Sequence, residues 1–195
     1  MATQKRQSQL APNFSVRPVT LDALADLERF SEGHGKFRYC SCMRWRLCSA
    51  DYKRSAKDSR VAALADLVRR GVPVGVLAYR NGEPVGWCSV APRETLEALE
   101  RFRALPRLDD EPVWSVVCFF VNRHMRRQGL SLALLKGAVA YAAAEGARMV
   151  EGYPVAPGPR LYTYMGSPDI FRRAGFRDVT PTGAPRQIVR RVIRR

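Results

Sequence analysis

The residues best suited to chemistry form a short basic turn, Arg126-Arg127-Gln128-Gly129-Leu130-Ser131, between an apolar run and a helical pattern. The first amides of a helix have no intrahelical acceptor, and the helix dipole places partial positive charge on them. Such a helix start binds phosphate or pyrophosphate. Gly129 lets a phosphate approach the backbone closely, and Ser131 is small and can donate its hydroxyl. The glycine spacing matches neither the dinucleotide-binding fingerprint nor the P-loop, so the turn predicts a different phosphate site.

Cysteine is the second residue type with chemical potential. The chain has five cysteines, and Cys40, Cys42 and Cys48 lie close together in sequence. Structural zinc usually takes four well-spaced ligands, but no second cysteine pair is present and the two histidines, His34 and His124, are far apart. We therefore expect no metal and interpret the cluster as free thiols in or near a pocket. An odd number of cysteines also argues against a disulfide framework.

The elements that must position the turn are a strand before it and a helix after it. Residues 113–122 form a continuous apolar run, which predicts a central strand buried on both faces. Residues 129–145 predict a long helix ended by Gly146, and Asn81-Gly82 between two apolar runs predicts a hairpin. Residues 31–54 read as irregular. Spacing and turn residues predict further strands at 14–19, 75–80, 84–90, 149–155, 176–179 and 187–193, and helices at 21–30 (capped by Thr20), 57–70, 95–105 and 167–173.

This order of elements predicts a mixed α/β sheet with one βαβ unit at its centre. The pattern R-x-x-G-x-S after an apolar strand, followed by Leu-Ala-Leu-Leu, resembles the cofactor motif Q/R-x-x-G-x-G/A of the GCN5-related N-acetyltransferase (GNAT) superfamily. Arg126 stands at the first position, Gly129 at the fixed glycine, and Ser131 replaces the final Gly or Ala. Residues 171–176 (FRRAGF) are similar to the Tyr-Glu-Lys-x-Gly-Phe that closes the family's fourth helix. The resemblance covers about residues 14–193 and implies a GNAT-like acyl-CoA N-acyltransferase fold, with a mostly antiparallel sheet of about seven strands.

The resemblance also implies a cofactor and a reaction. The family transfers acetyl directly from acetyl-CoA to an amine, without a covalent enzyme intermediate. Main-chain groups at the end of the fourth strand pair with the pantetheine arm, and the matching residues here are Phe119, Phe120 and Val121. That strand parts from the next one, residues 149–155, and opens a V-shaped cleft where thioester and amine meet. Donors near the thioester carbonyl would stabilise the developing oxyanion.

The catalytic groups follow less directly from the resemblance. The reaction needs a base or water relay for the ammonium and an acid for the leaving thiolate. The family often supplies the acid as a tyrosine in the fourth helix, but the matching residue, Phe171, has no hydroxyl. Tyr162 and Tyr164 are the candidates to replace it, since Tyr-x-Tyr in an extended segment places both on one side; we prefer Tyr164, with packing as an aromatic wall as the alternative. Glu151 is the candidate base, or else a surface carboxylate paired with an arginine. Cys118 has no histidine evidently placed to activate it and is interpreted as core.

The acceptor pocket is expected from residues 36–46 (KFRYCSCMRWR), because the family shapes its acceptor pocket with this region and the last two strands. Arginines in this segment could recognise an acidic group on the acceptor. The alternative is that the aromatic side chains cover the edge of the core and the arginines face water. Trp87 and Trp114, on strands, are expected in the core. The candidate lining residues are Phe37, Tyr39, Cys42, Met43 and Trp45, and the arginines are Arg38, Arg44 and Arg46.

Bulk composition limits the function classes. A chain of 195 residues with 46% hydrophobic and 26% charged residues is typical of one soluble globular domain. We expect a disordered leader at residues 1–12, a domain at 13–195 and a cytoplasmic location, since no signal peptide or membrane span is evident. The formal net charge is +15, and its arginines are spread along the chain, which favours an anionic cofactor over a nucleic-acid partner.

Two other functions stay open at this point. The missing helix tyrosine would suit a catalytically silent module that binds acyl-CoA, and the basic residues 186–195 would suit a nucleic-acid-associated protein. The acceptor, a small amine or a peptide, is not encoded in a readable pattern. Pairing of two copies through the last strands would give a homodimer.

Overall fold

A computed structural model describes residues 14–156, 158 and 162–194, so the expected leader at 1–12 lies outside the described residues. In the described part of the chain, seven strands form one sheet in the order β1-β2-β3-β4-β5-β7-β6. All neighbouring strands are antiparallel except β4 and β5, which are parallel. The strands are β1 Ser15–Pro18, β2 Val76–Arg80, β3 Glu83–Pro92, β4 Trp114–Val121, β5 Met149–Gly152, β6 Arg177–Asp178 and β7 Val189–Val192.

The helices flank this sheet. They are α1 Leu24–Gly33, α2 Gly35–Cys40, α3 Ser49–Arg54, α4 Lys57–Arg69, α5 Glu97–Glu100, α6 Leu130–Ala144 and α7 Pro168–Arg173. Single 3-10 turns lie at Leu21–Ala23, Arg93–Thr95, Arg123–Met125 and Thr163–Met165. None of the helices in the described ranges is long and apolar enough to cross a membrane.

The central strand and its connections confirm the predicted mixed sheet. β4 lies in the middle of the sheet, and α6 connects it to the parallel strand β5. The hairpin between β2 and β3 turns at Asn81 and Gly82, which have φ angles of 52° and 82°. Left-handed conformation at both turn residues matches the right-handed twist of a hairpin, which is why Asn-Gly is favoured there.

The pairing of β4 with β5 is short. Three residues of β4, Trp114 to Val116, pair with Val150 to Gly152 of β5. β4 then continues to Val121, still paired with β3 on its other side. The two parallel strands therefore part after Val116, and the unpaired edge of β4 is left facing an opening.

The core consists of three apolar clusters. The largest packs α6 against the sheet and includes Leu134 and Ala138, both fully buried. A second lies on the opposite face, under α1, α2 and α4, and contains Trp87, which is fully buried. Trp114 is 9% exposed, so both tryptophans expected in the core are confirmed there. The third cluster surrounds Trp45 near the segment after β5.

Some local predictions were wrong. Residues 31–54 were expected to be irregular but contain α2 and α3, each of six residues. The Thr20 hydroxyl contacts the Asp22 carboxylate and does not cap a helix amide, because the chain begins with a 3-10 turn there. The helix expected at 95–105 is reduced to the four residues of α5.

Candidate active site

A cleft of about 1040 Å³ lies where β4 has left β5. Its walls are the end of β4, the turn before α6, the segment around α2, and the chain from Thr163 into α7. This volume suits a large ligand, since small-molecule pockets usually span roughly 300–1000 Å³.

One end of the cleft is the basic turn. Arg126, Arg127, Gly129, Leu130 and Ser131 all line it. Arg127 and Gly129 have φ angles of 61° and 81°, in the left-handed region. The first intrahelical bonds of α6 run from the amides of residues 132 and 133 to the Gly129 carbonyl, at 3.0 and 3.1 Å. The amides before them lie at the positive end of the helix dipole, so this end of the cleft can bind an anion.

Gln128 has a different place from the one expected. Among the described residues it does not line the cleft. Its side-chain amide donates to the His124 carbonyl at 2.9 Å, and Arg80 Nη1 donates to its Oε1 at 3.1 Å. Gln128 therefore braces the turn from behind.

The end of β4 forms the wall next to the turn. Phe119, Phe120 and Val121 line the cleft as expected. Their backbones pair with residues 86–88 of β3, while the edge that faced β5 has no strand partner beyond Val116. An open strand edge can take up an extended ligand through main-chain hydrogen bonds.

Cys118 was interpreted as core, and the structure confirms this in part. Its side chain packs against the second apolar cluster, but it is partly exposed and lines the cleft. Its thiol is in hydrogen-bonding contact with Cys42, which also accepts a hydrogen bond from Trp87 Nε1 at 2.9 Å. Burial, and then the contact with Cys118, raise the pKa of the Cys42 thiol well above its usual value.

Cys40 adds a third thiol to this wall. It lines the cleft and is hydrogen-bonded to the Tyr52 hydroxyl, which lines the cleft as well. Burial and then the neighbouring Cys42 raise the pKa of the Cys40 thiol. Cys48 lies apart and accepts a hydrogen bond from the Asp51 amide in α3. All five cysteines are free, and no group of three potential metal ligands occurs in the described ranges.

The two candidate tyrosines have different places relative to the cleft, although their rings are in edge contact, with centroids 6.0 Å apart. Tyr164 lines the cleft and is 36% exposed. Burial, and then the nearby Cys118 and Cys40 thiols, raise the pKa of its hydroxyl above the usual value of 10.0. Tyr162 packs instead against Trp45, with ring centroids 5.8 Å apart, and is not among the described residues that line the cleft. It has the place of an aromatic wall behind the site.

Phe171 explains why the usual helix position offers no acid. Its side chain is fully buried and packs edge-on against Phe119 and Phe176, at 6.1 and 5.0 Å between ring centroids. A Cβ on Gly152 would lie 2.2 Å from this ring, so the strand end needs glycine for the close approach. Phe171 is therefore part of the core beneath the cleft.

Glu151 does not have the position expected of a base. It is fully buried and is not among the described lining residues. Arg93 Nη1 donates to its Oε1 at 2.6 Å, Arg190 Nε donates to its Oε2 at 2.7 Å, and the Tyr153 hydroxyl donates to Oε1 at 2.6 Å. Glu151 therefore pairs with arginines, as the alternative expected, but it does so in the interior and not on the surface. This geometry does not support Glu151 as base.

The expected acceptor residues are also divided. Phe37 and Cys42 line the cleft, whereas Met43 and Trp45 are buried in the core and are 3% and 1% exposed. Tyr39 is 63% exposed and faces the guanidinium of Arg60.

The three arginines of this segment also differ in their places. Arg46 is buried and donates to the carbonyls of Pro73 and Val74, and burial lowers its pKa to about 10. Arg44 lines the cleft, and the side chain of Arg38 lies outside the described part.

Sequence reasoning missed several lining residues. Tyr52 reaches the cleft from α3, and Thr163, Ser167 and Arg173 reach it from the segment that runs into α7, whereas Cys40 was expected in or near a pocket. No local pattern marks them, because they meet only after the chain has folded. Together with the expected residues they give the cleft a strong charge: four of the described lining residues are arginines, and none is Asp, Glu or His.

Known structures share this architecture. A ribosomal-protein-alanine N-acetyltransferase from Brucella melitensis is 17% identical, with a TM-score of 0.53 over 92% of this chain and 99% of that chain. A phosphinothricin acetyltransferase from Sinorhizobium meliloti, solved with acetyl-CoA, is 15% identical, with a TM-score of 0.53 over 92% and 88%. An acetyltransferase of the GNAT family from Listeria monocytogenes is 10% identical, with a TM-score of 0.54 over 92% and 95%. At these identities the likeness shows the fold.

The sequence itself identifies the family. Among curated proteins no significant match is found. The family model of the acetyltransferase (GNAT) family, however, matches residues 40–160. This match covers more than half of the chain, and it contains β4, the basic turn and α6. The chain therefore belongs to the GNAT family of acetyltransferases.

Proposed function

We propose that this protein is an N-acetyltransferase whose domain, residues 13–195, moves acetyl from acetyl-CoA directly to a primary amine of a small molecule or peptide. The observation that carries the proposal is one continuous cleft, with an anion-binding helix start at one end and Tyr164 and three thiols at the other. The open edge of β4 connects the two ends.

The lining of the cleft supports acetyl-CoA as the ligand. The pyrophosphate of acetyl-CoA would lie on the amides of residues 129–131, with Arg126 and Arg127 supplying positive charge. The pantetheine arm would pair with the free main-chain groups of residues 119–121. The thioester would then lie near Cys118 and Tyr164.

Tyr164 is the proposed acid. As the amine nitrogen attacks the thioester carbonyl, the carbon–sulfur bond breaks, the nitrogen releases a proton to water, and the departing thiolate takes the hydroxyl proton. The tyrosine regains a proton from solvent. Burial raises the pKa of this hydroxyl, so it carries its proton at neutral pH.

The amine reaches its reactive form without a carboxylate or imidazole on the described walls. A nearby positive charge disfavours an ammonium, so the lining arginines that are not placed on the pyrophosphate, Arg44 and Arg173, would lower the pKa of a bound amine. We propose that the proton leaves to water, and that the neutral amine is the species that attacks.

A second function is favoured by one observation, the buried Phe171 at the place of the usual acid. A module that binds acyl-CoA without transferring it would have the same cleft. The nucleic-acid alternative has less support. The tail contains β7, and three of its arginines have partners within the protein: Arg186 over the Tyr162 ring, Arg190 on Glu151 and Asp109, and Arg191 on the Ala174 carbonyl.

The test is the release of CoA from acetyl-CoA with a panel of primary amines. We expect release that depends on the amine, and initial rates that require both substrates to be bound together. Cys118→Ala should retain transfer, because the acetyl group passes directly to the amine. Tight acetyl-CoA binding with no release for any amine would support the silent module. Three results together would show a thiol intermediate and contradict the proposal: CoA release before amine is added, parallel double-reciprocal lines when both substrates are varied, and loss of transfer in Cys118→Ala.

A further inference from the structure

The acceptor end of the cleft contains a fixed guanidinium. Arg44 is half-buried and lines the cleft. Its guanidinium carbon lies 5.4 Å from the centre of the Trp45 ring and 5.8 Å from that of Tyr52. Contact with two aromatic faces holds the planar group in place and leaves its N–H donors free for a ligand.

This cation has no carboxylate partner in the described part of the chain. Several buried or half-buried arginines elsewhere are paired: Arg93 and Arg190 with Glu151, and Arg46 with two main-chain carbonyls. Arg60 and Arg186 lie over aromatic rings without an ion pair to the described residues, as Arg44 does, but neither lines the cleft. Arg44 makes no ion pair with the described residues, and none of the described lining residues is acidic. Its charge therefore faces the cleft uncompensated.

Arg44 lies at the end where the reaction occurs. Its charge acts on the Tyr164 hydroxyl, and its backbone amide donates to the Cys40 thiol. Tyr164 in turn interacts with Cys118, where β4 has left β5. The phosphate turn at 126–131 forms the other end of the cleft. A group bound by Arg44 would thus belong to the acceptor and not to the cofactor.

We infer that the acceptor is an amino acid or peptide whose carboxylate binds Arg44 while its amine faces the thioester. This inference rests on the proposed function and names its substrate class. A guanidinium offers two parallel donors that match a carboxylate. The positive charge of Arg44 also repels an acceptor that carries extra positive charge, so we expect polyamines to be poor acceptors.

The experiment compares matched acceptors that differ in one charge: free amino acids against their amides, free dipeptides against dipeptide amides, and both against diamines. Transfer is measured as CoA release by the intact protein, by Arg44→Gln and Arg44→Lys, and by Arg54→Gln. Arg54 is an exposed arginine of α3 outside the cleft, so it controls for loss of one positive charge.

We expect a carboxylate acceptor to exceed its amide by about 10- to 100-fold in kcat/KM, the range for one charge-assisted interaction. Arg44→Gln should lose this preference because its kcat/KM falls for the free acid and stays unchanged for the amide. Arg44→Lys should keep part of the preference, and Arg54→Gln should match the wild type. Comparison of free amino acids with free dipeptides shows whether Arg44 binds the carboxylate of an amino acid or that of a peptide.

The outcomes separate this inference from the proposal on which it rests. Two outcomes overturn the inference alone, provided that acetyl-CoA binds. In the first, amides or diamines are acetylated with the same kcat/KM as free acids; in the second, Arg44→Gln keeps the preference for the free acid. If no amine at all releases CoA, the proposed function fails and the inference fails with it. Thermal unfolding and acetyl-CoA binding of each variant show that the protein is folded and loaded.

Discussion

Tyr162 and Tyr164 are two positions apart, yet only Tyr164 reaches the cleft. The expectation that both lie on one side assumed an extended segment. The chain instead turns at Tyr162, with a φ angle of 67°, into the 3-10 helix Thr163–Met165. With three residues per turn, positions two apart point in different directions. Tyr162 therefore packs on Trp45, and Tyr164 faces Cys118.

This difference predicts the effects of two matched substitutions. Tyr164→Phe removes the proposed acid and should lower kcat by about 10²- to 10⁴-fold, with acetyl-CoA affinity unchanged. Tyr162→Phe removes a hydroxyl that lies outside the cleft and should leave kcat close to that of the wild type. Both are measured by steady-state CoA release and calorimetric titration.

The wild-type pH profile follows from the same residue. An acid must carry its proton to act, and burial raises the pKa of Tyr164 above 10.0, so it stays protonated up to at least that pH. Meanwhile the acceptor ammonium loses its proton as pH rises. We expect kcat/KM to rise from neutral pH with no falling limb below about pH 10. A falling limb near neutral pH, or an equal loss in Tyr162→Phe, would contradict the role of Tyr164.

At the scale of elements, the short pairing of β4 with β5 determines where the cleft begins. A buried polar network lies where β4 and β5 are still paired, next to the point where they part. Arg93, in the segment between β3 and β4, joins Glu151 and Tyr153 near β5 and donates to the Leu105 carbonyl at 2.7 Å. Ser115 on β4 is hydrogen-bonded to Tyr153 at 2.8 Å. The network thus ties both strands together just before they part.

Glu151→Gln tests whether this carboxylate is structural. Removing one partner of a buried ion pair leaves the other charge uncompensated and should lower the free energy of unfolding by about 3–5 kcal/mol. Urea denaturation measures this, with Glu32→Gln, an exposed residue of α1, as the control. If Glu151→Gln abolished transfer while the free energy of unfolding stayed unchanged, Glu151 would be the base after all.

Elements with strong periodicity could be predicted from sequence. The hairpin, β4, α4 and α6 depend on local patterns that their own residues carry, and the structure confirms them. α2 and α3 could not be predicted, because six residues make less than two turns and show no clear period.

The candidate site could be predicted in part. The turn at 126–131 is a local motif, and five of its six residues line the cleft. The roles of Cys118 and Glu151 depend on where β4 stops pairing with β5, which is a contact between distant segments. The same strand pattern fits a side chain in the core, in the cleft or in an ion pair, so sequence alone could not choose among them.

At the scale of the whole molecule, the net charge of +15 has more than one use. Part of it is internal, as in Arg93 and Arg46, which are 1% and 6% exposed. Another part lines the cleft, where four arginines face a ligand that carries phosphates in the proposed function. A basic molecule of this kind is expected to attract an anionic cofactor and to bind it less tightly as salt increases.

Calorimetric titration with acetyl-CoA tests whether the turn before α6 holds the cofactor. We expect saturable one-to-one binding. Arg126→Ala should weaken it roughly tenfold, the typical effect of one charge-assisted hydrogen bond. Gly129→Glu should abolish it, because a carboxylate repels phosphate and the φ angle of 81° suits glycine.

Arg123→Ala is the matched control, since Arg123 is an exposed arginine beside the turn that does not line the cleft. If the turn holds acetyl-CoA, the wild type and this control bind it equally, Arg126→Ala binds it more weakly, and Gly129→Glu does not bind it. No binding by the wild type, or equal affinity in all four proteins, would contradict this role of the turn.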